Sequence, residues 1–167
     1  MAITYEPIAT TTLSTATATV TFSSISGSYT DLVLVGVGYN STGDDFSPAM
    51  RFNSDSGNNY SRTRLYGDGS SGVSSRTSNT NLSIFAGTGW STDSTKIGSA
   101  IAHIMNYSNS TTYKTVLTRS NRADSSVYTD VNLWRNTNAI TNIELFVAGS
   151  GTFASGSRFT LYGIASA

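Results

Sequence analysis

Residues 99–119 read SAIAHIMNYSNSTTYKTVLTR, and they decide the fold. Ile101, His103 and Met105 alternate with Ala102, Ile104 and Asn106, the period of two that a strand imposes by sending successive side chains to opposite faces. Residues 108–112 are small and polar and reverse the chain, so residues 113–119 are the expected hairpin partner. Outward from this hairpin the same period recurs. In residues 127–133, Val127, Thr129, Val131 and Leu133 alternate with Tyr128, Asp130 and Asn132. In residues 141–148, Ile143, Leu145 and Val147 oppose Glu144 and Phe146. Residues 158–164 set Phe159 and Leu161 against Tyr162 and Ile164.

Toward the N-terminus, residues 16–22 alternate Ala18, Val20 and Phe22 with threonines. Residues 31–39 hold the apolar run Leu32-Val33-Leu34-Val35, expected as a central strand covered on both faces or bending over a core. Residues 49–53, 62–66 and 82–86 are shorter candidates. Residues 67–80 are mostly Gly, Ser, Asp and Asn, with Val73 the only core-type side chain, and are expected as a long surface loop. Nowhere does a helical period appear. Roughly eight to ten strands joined by Gly, Ser, Asn and Asp turns predict an all-β antiparallel β-sandwich, jelly-roll-like, with little or no helix, a closed barrel being the alternative. One domain over residues 1–167 is expected, with residues 1–15 as an extended arm.

Composition narrows the chemistry. Ten Lys and Arg balance ten Asp and Glu, and charged residues make up 12 % of the chain, about half the share of an ordinary soluble domain. A net charge of zero gives no electrostatic attraction to phosphate backbones or anionic lipid, so neither nucleic acid nor a membrane is an expected partner. No apolar run reaches the roughly 20 residues of a membrane-spanning helix, and the opening MAITYEP carries no secretion pattern. The absence of Cys excludes disulfides, thiolate metal sites and cysteine nucleophiles. Aromatics at 11 % and hydrophobics at 38 % argue against disorder.

Catalysis finds little to work with. His103 is the single imidazole and lies between Ile101 and Met105, where a semi-buried histidine satisfied by a neighbour is expected rather than a general base. No G-x-S-x-G elbow is present, and the acids Asp44, Asp45, Asp55, Asp68, Asp93, Asp124, Asp130 and Glu144 fall mostly in turns. Residues 53–60, NSDSGNNY, have the spaced oxygens of a calcium loop but no acid where a bidentate ligand belongs. No enzyme, cofactor or metal is expected. Candidate binding residues are Tyr60, Arg62, Arg64, Tyr66 and Trp90, because aromatics beside arginine and amides in polar loops suit sugars or protein surfaces. The opposing expectation for Tyr60 and Tyr66 is that they close the ends of the core. Trp134, whose parity opposes that of Val131 and Leu133, is expected to point outward at a strand end or to be repositioned by a bulge, and burial at an interface would account for an outward Trp.

The segments SYTDLVLVG (28–36), RFNSDSGNNYSRTRLYGDGSS (51–71), HIMNYSNSTTYKTVLTRS (103–120), LWRNTNAITNIELF (133–146) and ASGSRFTLYGI (154–164) resemble small all-β structural proteins of tailed bacteriophages, especially those of cyanobacteria and other aquatic bacteria. The resemblance spans most of the chain and brings no catalytic or ligand residue to any position. It implies a virion component made in the host cytoplasm. The first expectation is a capsid decoration or cement protein on the outer head surface, bound to the major capsid protein or another virion protein and, by analogy with jelly rolls, a homotrimer. The alternative is a tail or fibre module that binds a host surface receptor or glycan through Tyr60, Tyr66 and Trp90. A polysaccharide depolymerase is a third reading.

Overall fold

Alternating Thr, Val, Ile and aromatic residues pair here into strands whose burial is decided by which parity meets the core. The computed structural model describes residues 4–43, 46–87, 89–122 and 124–165. Its strands are β1 (Tyr5–Thr12), β2 (Thr19–Phe22), β3 (Asp31–Gly38), β4 (Asn40–Thr42), β5 (Pro48–Phe52), β6 (Tyr60–Gly67), β7 (Gly72–Thr80), β8 (Ser83–Ile84), β9 (Gly98–Met105), β10 (Lys114–Arg122), β11 (Val127–Trp134), β12 (Ile143–Val147), β13 (Thr152–Phe153) and β14 (Arg158–Ile164). No helix occurs among the described residues. An eight-stranded sheet runs β1-β14-β3-β9-β10-β11-β6-β7, a four-stranded sheet runs β2-β12-β5-β8, and β13 pairs with β4. Every pairing between these strands is antiparallel. The fold is therefore all-β, antiparallel and multi-sheet.

One buried cluster joins the two larger sheets. Leu32 and Leu34 of β3, Ala100, Ala102 and Ile104 of β9, Val116 of β10 and Phe159 and Leu161 of β14 belong to it. So do Val20, Phe22, Met50, Phe52, Ile143, Leu145 and Val147 of the four-stranded sheet. The β9–β10 hairpin forms as its sequence dictates: Asn109 Oδ1 accepts the amides of Thr111 and Thr112 at 2.7 and 2.9 Å, and Asn106 takes a positive φ of 51°. Gly98 is required by packing, since a Cβ there would lie 2.3 Å from the Trp90 indole. At the start of β10, Lys114 is fully buried and its ammonium donates to the carbonyls of Thr112 and Thr137 at 2.7 and 3.0 Å. Desolvation holds this amine below the ordinary lysine range.

Three features depart from the sequence reading. Among the described residues there are fourteen strands, several of only two or three residues, instead of eight to ten. Residues 67–80 are not a loop: β7 fills most of them, paired along its length with β6. The sequence hid β7 because its stability comes from ladder hydrogen bonds and not from burial. Within residues 1–15, Tyr5–Thr12 lie along β14 as the edge strand β1.

Trp134 is the third. It is 1 % exposed, packs against Phe52 and Tyr60 with ring centroids 5.5 and 6.3 Å apart, and donates its indole N–H to Asp55 Oδ2 at 2.7 Å. Trp134 does oppose Val131 and Leu133 in parity, but the buried face of β11 is the one that carries Trp134. In β11 the buried positions are Asp130, Asn132 and Trp134, and the apolar positions Val127 and Val131 face solvent.

Candidate interaction face

The inward parity of β11 is polar because each buried polar group has a specific partner. Asp130 is fully buried and receives Arg64 through two bonds, Nε to Oδ1 at 2.7 Å and Nη2 to Oδ2 at 3.3 Å. The amide of Asn132 accepts from the Ile84 N–H at 3.2 Å and donates to its carbonyl at 3.4 Å, so a side chain stands in for a neighbouring strand. In the adjacent β10, Ser120 Oγ accepts the Gly87 amide at 2.8 Å. With these groups inside, the opposite parity is forced outward.

That outward face can be followed along the register of the eight-stranded sheet. One row runs Tyr162, Val33, His103, Leu117, Val131, Thr63 and Arg76, and the next Thr160, Val35, Ile101, Arg119, Thr129, Leu65 and Ser74. A third runs Arg158, Val37, Ser99, Asn121, Val127, Gly67 and Gly72. Leu65 is 60 % exposed, Val127 62 % and Val131 46 %, with Val37 and Ile101 also open to solvent. Single exposed apolar side chains are ordinary, but five on one face of one sheet form a patch of the kind that marks an interaction site. Depressions of about 510 and 430 Å³ lie along it, the first bounded by Leu65, Val73 and Val127, the second by Ile101, Arg119 and Val127.

The charges on this face are lopsided. Arg76, Arg119 and Arg158 project from it, and none has an acidic partner among the described residues. His103 is held by Asp31, Nε2 to Oδ2 at 2.9 Å, and Asp31 Oδ1 also accepts the Asn106 amide. That is the satisfying neighbour expected for the single imidazole.

The residues singled out from sequence lie elsewhere. Tyr60, Arg62, Arg64 and Tyr66 share the inward parity of β6, opposite Ser61, Thr63 and Leu65. Tyr60 is 1 % exposed: its hydroxyl accepts the Phe52 amide at 3.2 Å and donates to the Asp55 carbonyl at 3.1 Å, and burial pushes its ionisation above the ordinary tyrosine range. Trp90 is wholly buried, stacked on Phe159 and edge-on to Phe153, with both centroids 6.1 Å away. As contacts for a partner, Tyr60 and Trp90 are corrected to core residues, because turn-rich sequence around an aromatic does not reveal a cavity waiting beneath it. Arg64 is committed to Asp130 and lies 4.8 Å above the Tyr128 ring, which stacks on Tyr66 at 5.0 Å. Arg62 is half-buried; desolvation, with the nearby charge of Arg64, holds its guanidinium below the ordinary arginine range.

Residues 53–60 form a turn whose carboxylate is already spoken for. Asp55 accepts N–H groups from Gly57, Asn59 and Trp134. Partial desolvation opposes its ionisation, yet the hydrogen bonds of Trp134, Asn59, Gly57 and Asn136 prevail and hold it below the usual carboxylate range. A carboxylate surrounded by donors is a poor cation ligand. Among the described residues no group of three His, Asp or Glu side chains is placed to hold a metal.

No protein-family model matches the chain, and no curated protein matches it. Among solved structures, a marine PL-14 alginate lyase from Aplysia kurodai is similar over 84 % of this chain and 70 % of that chain, at 14 % sequence identity and a TM-score of 0.34. A likeness of that degree bears on neither substrate nor chemistry.

Sequence reading missed the outward face, although its signal was present. Two alternating apolar sets in β9 and β11 were legible, but alternation has two solutions, and the buried pairings of Asp130 with Arg64, Asn132 with Ile84 and Ser120 with Gly87 choose between them.

Proposed function

We propose that this chain is a structural protein of a tailed-phage virion, a capsid decoration protein that binds the outer capsid surface and stabilises it. The fold is read as a jelly-roll-like β-sandwich and the working assembly as a homotrimer, by analogy alone. The observation that carries the reading is the outward face of the eight-stranded sheet. Leu65, Ile101, Val127 and Val131 give it an apolar centre, while Arg76, Arg119 and Arg158 await carboxylates on a partner. Interfaces of this kind pair a desolvated apolar core with arginine anchors. The tail or fibre alternative loses support, because Tyr60 and Trp90, two of its three aromatic contacts, are buried. Immuno-electron microscopy of intact virions of the parent phage tests the proposal. Label over the head is the expected result; label confined to the tail favours receptor binding, and unlabelled particles refute both.

A further inference from the structure

The two edges of the eight-stranded sheet are built differently. The β1 edge carries Glu6 and Pro7, and its register slips between Pro7 and Ala9. Proline, charge and irregularity are the devices by which natural edges refuse another strand. Over residues 72–78, GVSSRTS, the β7 edge has no proline, no acid and a single charge, Arg76, and its register is regular, breaking only beyond Ser78, where Asn79 takes a positive φ of 56°. Its backbone pairs with β6 on one side and, among the described residues, with no strand on the other.

We infer that β7 pairs with β7 of a second copy, antiparallel, about a two-fold axis perpendicular to the sheet. Such an axis keeps the outward faces of both copies on one side, so opposed residues must have the same parity. The midpoint of residues 72–78 is Ser75. Setting Ser75 on the axis pairs all seven residues: Ser74 falls opposite Arg76, Val73 opposite Thr77 and Gly72 opposite Ser78. A shift that set Arg76 on the axis would oppose two guanidinium groups, which is unfavourable. The chain's zero net charge adds no long-range repulsion between copies. Room is available at the ends of the contact, where a Cβ on Gly69 or Gly72 would meet nothing within 4 Å. Pairing also continues the apolar outward face from one copy into the next.

Seven residues make a contact about 24 Å long and one strand wide. That is smaller than a standard interface, which buries roughly 1,200 Å² or more, so association should depend on concentration, and about 1–200 µM is the range over which to follow it. The inference does not rest on the virion reading. Two-fold pairing joins two chains, or two trimers, and either gives an even number of copies.

Sedimentation velocity and native mass measurement of the purified full chain across that range test it. A mass rising to two or six chains is expected. A mass that stays at one or three overturns the inference and leaves the decoration proposal standing, just as unlabelled virions would overturn decoration and leave the pairing. Two surface variants check the register. Ser74→Arg opposes like charges twice and should weaken association about fivefold, whereas Ser74→Glu should tighten it about fivefold. An even-numbered assembly indifferent to both changes also overturns the pairing.

Discussion

Replacing Arg64 by Met leaves the fully buried Asp130 carboxylate without the two charge-assisted hydrogen bonds that hold it, at 2.7 and 3.3 Å. The Asp130 side chain is inaccessible to solvent and the Arg64 side chain 11 % exposed, so water has little access to the abandoned charge. Breaking a buried pair from one side costs about 3–5 kcal/mol, because the remaining ion keeps its desolvation penalty and loses its compensation. The slight exposure of Arg64 places the expectation at the lower end, about 3 kcal/mol. For a domain of this size that corresponds to a fall in Tm of about 6–12 °C. Urea unfolding followed by the fluorescence of the two buried tryptophans gives the free energy, and calorimetry gives Tm. The double variant Arg64→Met, Asp130→Leu removes both charges and should recover most of the loss. A single variant costing less than about 1 kcal/mol would mean that the pair behaves as a solvated surface bridge. A double variant worse than the single would mean that Asp130 is held by something other than Arg64. Either result refutes the account of why β11 turns its polar side inward.

Other expectations follow from the same geometry. Gly98→Ala should destabilise the fold by about 1–3 kcal/mol, since the added methyl meets the Trp90 indole, and should change the tryptophan emission of the native state. Asp55, Asp68, Asp93 and Asp124 are all held below the ordinary carboxylate range. Groups depressed in the folded state contribute stability that is present above about pH 4 and is lost as pH falls through their folded values. Denaturant midpoints should therefore drop on acidification below about pH 4, and Asp55→Asn should make that acid limb shallower. Val131→Thr, on the exposed face, should leave the urea midpoint within about 0.5 kcal/mol of the parent, and a larger loss would show that the position is not solvent-facing.

The strands most legible in the sequence were those whose two faces differ in polarity. The 99–107 reading falls on β9, 127–133 on β11 and 158–164 on β14, each within a residue or two. Which face turns inward was not legible, because it depends on partners far away in the chain: Arg64 lies 66 residues from Asp130, and Ile84 lies 48 from Asn132. β7 was hidden for the opposite reason, its Ser, Thr and Asn side chains offering no apolar contrast between its faces. Trp90 was misjudged because its neighbours in sequence are turn residues, whereas its neighbours in space are Phe153, Phe159 and the bare backbone of Gly98. The exposed face emerged from the same distant pairings, as what remained once the polar residues had been placed inside.

The burial of Lys114 has a practical consequence for handling the molecule. The chain has two lysines, and the second, Lys96, has a side chain 44 % exposed beside Asp93 and Asp124. An acylating reagent applied under native conditions meets Lys96 readily, while the amine of Lys114 stays sealed beneath two carbonyls until the strands around it part. Acylation at Lys114, read by peptide mapping, is thus a chemical clock for opening of the β10 end of the sheet, and coupling through Lys96 tethers the folded molecule by a single known side chain.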